Sequence, residues 1–331
     1  MNWIRKSFLL LCTLLLSGGC LASAQKELDS CRIPIATVHG VFSSCLESGG
    51  QEYLAGCVDG VRRINLKTGT NELMYKSSQV VTALSASSDG KYLAAASGKS
   101  VSILDLNTFK QLSSFEVSGI DVRGTRFLTG GHTLAVAGIS RFNSDLGLYS
   151  IALWNADTGQ RLWKSSLPNA PMYALAVSAD GKYIAVGCVG GDLVLADAKT
   201  GQYRSYHCPA DSIANVDFSP DSSTVIAGSL GGTCWVLPVS LAAVQASWKI
   251  GSGYLNTMAY SPDGTEVATT TFEPGAIVLW DPKTGKQLCR FGTGRDYVPG
   301  MVFSAGSKAI YAADTKATLA RYDLDCELHG K

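Results

Sequence analysis

Short apolar runs separated by short polar turns fill the chain from about residue 31 onward, and the turns return at a long, steady interval. Ala86-Ser87-Ser88-Asp89-Gly90-Lys91-Tyr92-Leu93 comes back as Val177-Ser178-Ala179-Asp180-Gly181-Lys182-Tyr183-Ile184. It returns again as Phe218-Ser219-Pro220-Asp221-Ser222 and as Tyr260-Ser261-Pro262-Asp263-Gly264, with looser copies at Ser48-Gly49-Gly50-Gln51, Thr129-Gly130-Gly131 and Phe303-Ser304-Ala305-Gly306-Ser307. Anchored on the place of the turn glycine, the copies fall at 51, 90, 131, 181, 222, 264 and 307, with intervals of 39, 41, 50, 41, 42 and 43. A second turn keeps a fixed offset within the copies: Asn65-Leu66-Lys67-Thr68-Gly69, Asn155-Ala156-Asp157-Thr158-Gly159, Asp197-Ala198-Lys199-Thr200-Gly201 and Asp281-Pro282-Lys283-Thr284-Gly285. Asp-Gly and Thr-Gly admit the positive φ that tight hairpins need. The runs between them, such as Ala276-Ile277-Val278-Leu279, are rich in branched and small apolar residues and read as strands. No stretch sustains a helical period with caps.

Seven copies at about 42 residues match the period of a four-stranded blade. The expected fold is therefore all-β, a seven-bladed β-propeller of four-stranded antiparallel blades. The first strand of each copy carries its own spacing of apolar residues, as in Val81, Leu84 and Ala86, or Met172, Leu175 and Val177. These innermost strands should pack blade on blade. After the third strand of the last copy, Leu319 to Leu324, only seven residues follow, too few for a turn and a strand. Cys31 to Val38 is an unassigned strand ahead of the first blade. The ring is thus expected to be closed by this N-terminal strand, covering an otherwise open edge. Pro34 is tolerable there because an outermost strand needs no ladder bond on its free side.

Ser261-Pro262-Asp263-Gly264 and Leu279-Trp280-Asp281-Pro282-Lys283-Thr284-Gly285-Lys286 resemble the WD-repeat family. The resemblance covers nearly all of residues 31–331, and the first and third copies fit it loosely. It implies a rigid platform that binds a protein or peptide partner, usually without catalysis and without a cofactor. Copy three has Trp154-Asn155 in place of Trp-Asp, and Gly131-His132 stands in a different turn from the Gly-His of typical repeats. Ala152 to Trp163 is also similar to the repeat of pyrroloquinoline-quinone-type propellers. That similarity implies the alternative of a quinone- or metal-dependent enzyme with its site at the mouth of the central channel.

Composition adds location and excludes one partner class. Arg5 and Lys6, the apolar run Ser7 to Leu16, and Ala22-Ser23-Ala24 before Gln25 read as a secretory signal over residues 1–24, with the propeller over 25–331. An apolar run of about ten residues is too short to span a membrane. Leu16-Ser17-Gly18-Gly19-Cys20 keeps open a second processing route, a lipid anchor at Cys20. On either route the chain is exported, to the periplasm or the extracellular space. With 28 Lys and Arg against 27 Asp and Glu, the chain has no field to draw in nucleic acid.

Candidate chemistry is sparse. An oxidising compartment favours disulfides, and Cys31 with Cys326 is the expected pair, since one opens the closing strand and the other follows its expected neighbour. Cys45 and Cys57 form a weaker second pair. No Cys-x-x-Cys or His-x-x-x-His spacing points to a metal, and His39, His132, His207 and His329 have no partner at a recognisable spacing. Asn215 and Asn256 offer amide oxygens to a cation, yet few carboxylates converge with them. The expected channel-mouth positions are Thr82, Tyr173, Ala214, Asn256 and Pro299. Copy three is longer by about nine residues, and the excess is assigned to a loop from Ser140 to Tyr149 on the face where the blade-to-blade connections emerge. Arg141, Phe142, Asn143, Asp145 and Tyr149 in that loop are candidate partner contacts. Tyr254, Phe272, Arg295, Asp296 and Tyr297 on neighbouring connections join them, because Arg and Tyr on a rigid rim are the composition of interface hot spots.

Overall fold

The computed structural model describes residues 32–324, apart from short stretches at 39–40, 47–49, 118–120, 140–147, 169–171, 252–253, 272–274, 293–297, 299 and 314–317. Its strands form seven four-stranded antiparallel sheets, six of them built from consecutive strands. The seventh is closed as the sequence predicts: Arg32–Thr37 lies outermost, antiparallel to Thr318–Asp323. Its register shifts between Pro34 and Ala36, so a bulge absorbs the proline.

The repeated turns owe their residues to hydrogen bonds. Ser87 Oγ donates to Asp89 Oδ1 at 2.6 Å and accepts the N–H of Tyr92 at 2.8 Å, which ties the turn to the strand that follows. Ser178, Ser219 and Ser261 do the same with Asp180, Asp221 and Asp263. In the second turn, Asp197 Oδ1 accepts the N–H groups of Thr200 and Lys199 and the Thr200 hydroxyl. These backbone and hydroxyl bonds hold Asp105, Asp197 and Asp281 below the usual carboxylate range.

One anchor needs correction. In the first copy the positive φ belongs to Gly50, at 66°, and not to Gln51, so that interval is 40 residues. The pairing of Leu46 with Tyr53 fixes the same frame. Ser222 and Ser307 adopt the glycine's conformation in copies five and seven, and their hydroxyls accept the N–H groups of Asp180 and Asp263 in the preceding blades.

The core is a series of layers between blades rather than one mass. Ile151 and Leu153 of blade three meet Leu175 and Ile184 of blade four, and Phe291 of blade six meets Met301, Ile310 and Tyr322 of blade seven. The Thr-Gly turns lock the rim of each layer. A Cβ at Gly201 would lie 2.8 Å from the Trp163 ring of the preceding blade, and one at Gly285 2.9 Å from Trp248. At Gly69 the close neighbour is the Ile35 carbonyl, so the closing strand serves blade one as other outer strands serve theirs.

Blade three differs from the reading of its extra residues. Its third strand already begins at Leu148, and Tyr149 pairs with Leu167. Part of the excess therefore lengthens a hairpin instead of a loop. Cys45 and Cys57 are free thiols and not a disulfide; Cys45 pairs across the sheet with Leu54 and Cys57 with Gly60. Cys31 and Cys326 lie outside the described residues.

Candidate functional site: the channel and the face around its mouth

The innermost strands of five blades share an irregularity. Their pairing slips after the first residue, between Val81 and Ala83, Val122 and Gly124, Met172 and Ala174, Ile213 and Asn215, and Leu255 and Thr257. Each slip leaves one extra residue out of the ladder and turns it from its regular place. Thr82, Arg123, Ala214 and Asn256 occupy that position and line the central channel, whose volume is about 620 Å³. Thr82 Oγ1 donates to the Val122 carbonyl of the next blade at 3.0 Å, and Asn215 Nδ2 to that of Asn256 at 3.0 Å. Asn256 Nδ2 donates to the Val298 carbonyl. The two asparagines therefore stitch blades five, six and seven together. Among the described residues, no three His, Cys, Asp or Glu side chains converge to hold a metal ion.

A second layer lies three residues deeper. Cys45, Ser85, Ala176, Ala259 and Val302 keep it open, and Arg126 and Asp217 bring charge to it. Ser85 Oγ accepts the N–H of Phe127 in the next blade at 2.9 Å. Asp217 makes the same link with a carboxylate: Oδ2 accepts the N–H of Tyr260 in blade six at 2.8 Å, and Oδ1 that of Phe218 at 2.9 Å. Burial raises the Asp217 pKa to about 6, against the lowering effect of the two N–H bonds and of Arg126. Burial pushes the Cys45 thiol up to about 11, with Arg126 opposing. Arg126 Nη1 donates to the carbonyl of Thr125 at 2.9 Å and lies 3.5 Å from that of Leu84.

Both channel arginines escaped the sequence reading, because blade three fits the repeat loosely and its first strand was not aligned with the others. Counting back from the anchor at 131 by the offset that relates Thr82 to 90 would have found Arg123. The same count for Ser85 finds Arg126. Of the expected rim contacts, Tyr254 is 61% exposed beside the mouth. Tyr149 sits in strand Leu148–Asn155. Arg141, Phe142, Asn143, Asp145, Phe272, Arg295, Asp296 and Tyr297 lie outside the described residues. The structure adds Phe42, Val58 and Leu230, all exposed apolar residues on connections at the same end of the blades. Leu230 accepts the N–H of Leu255 at 3.1 Å, which sets it beside Tyr254. Among the described residues no helix is long and apolar enough to cross a membrane.

The family "WD domain, G-beta repeat" matches residues 70–105 and 201–236, each running from an outer strand into the next blade. Echinoderm microtubule-associated protein-like 2 of Mus musculus is 28% identical over 152 residues, which are 44% of this chain and 23% of that protein. Cross-pathway control WD-repeat protein 2 of Flammulina velutipes is 31% identical over 123 residues, 36% of this chain and 37% of that one. The chain thus spans about a quarter of the microtubule-associated relative and little over a third of the fungal one. The β-propeller domain of Myceliophteria thermophila Cps50 (Swd1) superposes with a TM-score of 0.75 at 17% identity, over 88% of this chain and 99% of that one. U3-55K matches with a TM-score of 0.75 at 15% identity, over 86% and 96% of the two chains. These two likenesses concern the fold.

Proposed function

Because the chain belongs to the WD-repeat β-propellers, we propose that it is an exported, non-catalytic scaffold that binds a protein or peptide across the face around its channel mouth. WD-repeat propellers generally act as non-enzymatic platforms for protein interaction, and that is the general part of the reading. The observation that supports this face is its exposed apolar set, Phe42, Val58, Leu230 and Tyr254, on short connections held by a hydrogen-bonded framework. Aromatic and aliphatic groups presented on a rigid rim lose little entropy on binding. The leader at residues 1–24 supports export to the periplasm or the extracellular space.

Capture from the native envelope and secreted fractions tests the face, comparing wild type with a folded Leu230→Ala, Tyr254→Ala variant. A partner held by the wild type and lost by the variant supports the scaffold on this face. A partner held equally by both moves the interface elsewhere, and no partner with either removes the reading. Mass spectrometry of the mature amino terminus tests export: a start at Gln25 supports it, and a chain still beginning at Met1 overturns it.

A further inference from the structure

We propose that the channel mouth is a receptor for a carboxylate group, held by Arg123 with Arg126 beneath it, and supplied either by an acidic segment of the bound partner or by a free small acid. The partner-borne source rests on the face proposed above; the free-acid source does not.

Position carries the first part of the argument. Arg123 is the extra residue of its strand, so its side chain lines the channel instead of entering a layer between blades. Four of the five uncharged residues in the deeper layer are Cys, Ser or Ala, which leaves Arg126 room in the same cavity. A volume of about 620 Å³ lies within the range of small-ligand sites.

Unused hydrogen-bonding capacity carries the second. Among the described residues neither arginine has a carboxylate within ion-pair distance, and no bond engages Arg123 Nε, Nη1 or Nη2. Arg126 directs Nη1 to backbone carbonyls, and its Nε and Nη2 meet no acceptor among the described residues. A guanidinium presents a planar fork of donors that matches a carboxylate. The lining includes one carboxylate, Asp217, and both its oxygens are already taken by the N–H groups of Phe218 and Tyr260. The charged groups of the lining therefore sum to one net positive charge. At pH 7.5, where Asp217 is ionised, a single carboxylate balances it, whereas a phosphate dianion would leave the channel negative.

Asp217 gives the site a pH dependence of known sign. Arg126 faces it from blade three and the Tyr260 phenol from blade six, and its pKa of about 6 means that it takes up a proton as the pH falls from 7.5 to 5.5. Loss of that negative charge strengthens the field on a ligand carboxylate, which stays ionised over this range. Affinity should rise on acidification, and Asp217→Asn should remove the rise.

The probes are an amidated Glu-Gly-Glu-Gly-Glu-Gly peptide, its Gln counterpart, free N-acetylglycine and inorganic phosphate, each titrated calorimetrically into the full chain. The wild type should prefer the Glu peptide, or bind N-acetylglycine, about tenfold over the Gln peptide and phosphate, and Arg123→Gln should abolish that preference. Arg123→Lys should fall between, because it keeps the charge and loses the fork. Binding of the Glu peptide alone assigns the partner-borne source, and binding of N-acetylglycine alone assigns the free acid. Equal binding of Glu and Gln peptides with no binding of N-acetylglycine overturns the proposal, as does a preference that survives Arg123→Gln in a folded variant. Should the Arg123→Gln protein still capture partners that the Tyr254 variant loses, while neither acid probe binds, the face stands and the channel site falls.

Discussion

Blades three and six place a tryptophan at the same point of the third strand and treat it differently. In blade six, Trp280 stands opposite Val267 and its Nε1 donates to Thr269 Oγ1 at 2.8 Å, with both groups buried. In blade three, Trp154 stands opposite Leu134 in the same register, but the counterpart of Thr269 is Val136. Trp154 Nε1 is buried with no acceptor among the described residues. The ring is held by its faces instead: Phe115 of blade two stacks on it at 4.3 Å between centroids, and the Arg161 guanidinium lies 5.9 Å away. The blade that lacks the internal polar bond is also the blade that brings Arg123 and Arg126 to the channel. Regular repeats build the ring, and the irregular one supplies the positive charge of its channel.

The largest expected effect separates the two tryptophans directly. Trp280→Ala removes a buried ring together with the hydrogen bond it donates to Thr269, and should cost about 3 to 5 kcal/mol in denaturant unfolding. Trp154→Ala should cost less, because it also removes an N–H that the fold leaves unsatisfied. Equal losses would break the comparison.

Next in size is the charge that blade three faces across the channel. The folded pKa of Asp217, about 6, lies above its usual 3.8. Between those values the folded state holds a proton that the unfolded state has released, so this group's contribution to stability falls as pH rises through the window. Its effect should reach about 2 kcal/mol between pH 4 and pH 7. Asp89, Asp105, Asp197 and Asp263 act with the opposite sign, since their depressed pKa values favour the fold until the pH drops through them. The clean measurement is therefore the difference between wild type and Asp217→Asn across that range. A flat difference would mean that Asp217 does not titrate in the channel wall.

What could be read in advance follows the same division. The ring was legible because each turn satisfies its own backbone with its own side chains, so Ser87-x-Asp89 and Asp197-x-x-Thr200 mark hairpins wherever they occur. The closing strand was legible because a blade short of one strand and a strand without a blade imply each other. The misplaced anchor at 51 arose where Gly50 and Gln51 adjoin and only the backbone shows that Gly50 takes the left-handed conformation. The channel arginines escaped because Val122-Arg123-Gly124-Thr125-Arg126-Phe127 carries charge where the other first strands are mostly apolar or neutral. A search for the apolar pattern passes over the strand that departs from it.

Two smaller substitutions exchange the chemistry of the blades. Thr269→Val copies blade three into blade six, leaves the Trp280 N–H buried and unmatched, and should cost about 1 to 3 kcal/mol.

The reverse exchange is the most sensitive. Val136 is almost fully buried and pairs with Ala152, as Thr269 pairs with Val278. Val136→Thr changes a methyl for a hydroxyl at nearly constant volume. That hydroxyl can accept from Trp154 Nε1 and turn its own hydrogen toward the Ala152 carbonyl, as Thr269 Oγ1 lies 3.5 Å from that of Val278. A hydroxyl buried without partners destabilises, whereas one that satisfies an orphaned donor should stabilise by about 1 kcal/mol. A rise in the denaturant midpoint at unchanged slope would show that blade three accepts the bond that blade six already makes. A fall would mean that stacking on Phe115 sets the Trp154 ring where no such bond can form, and that blade three differs from blade six in packing as well as in the loss of one hydroxyl.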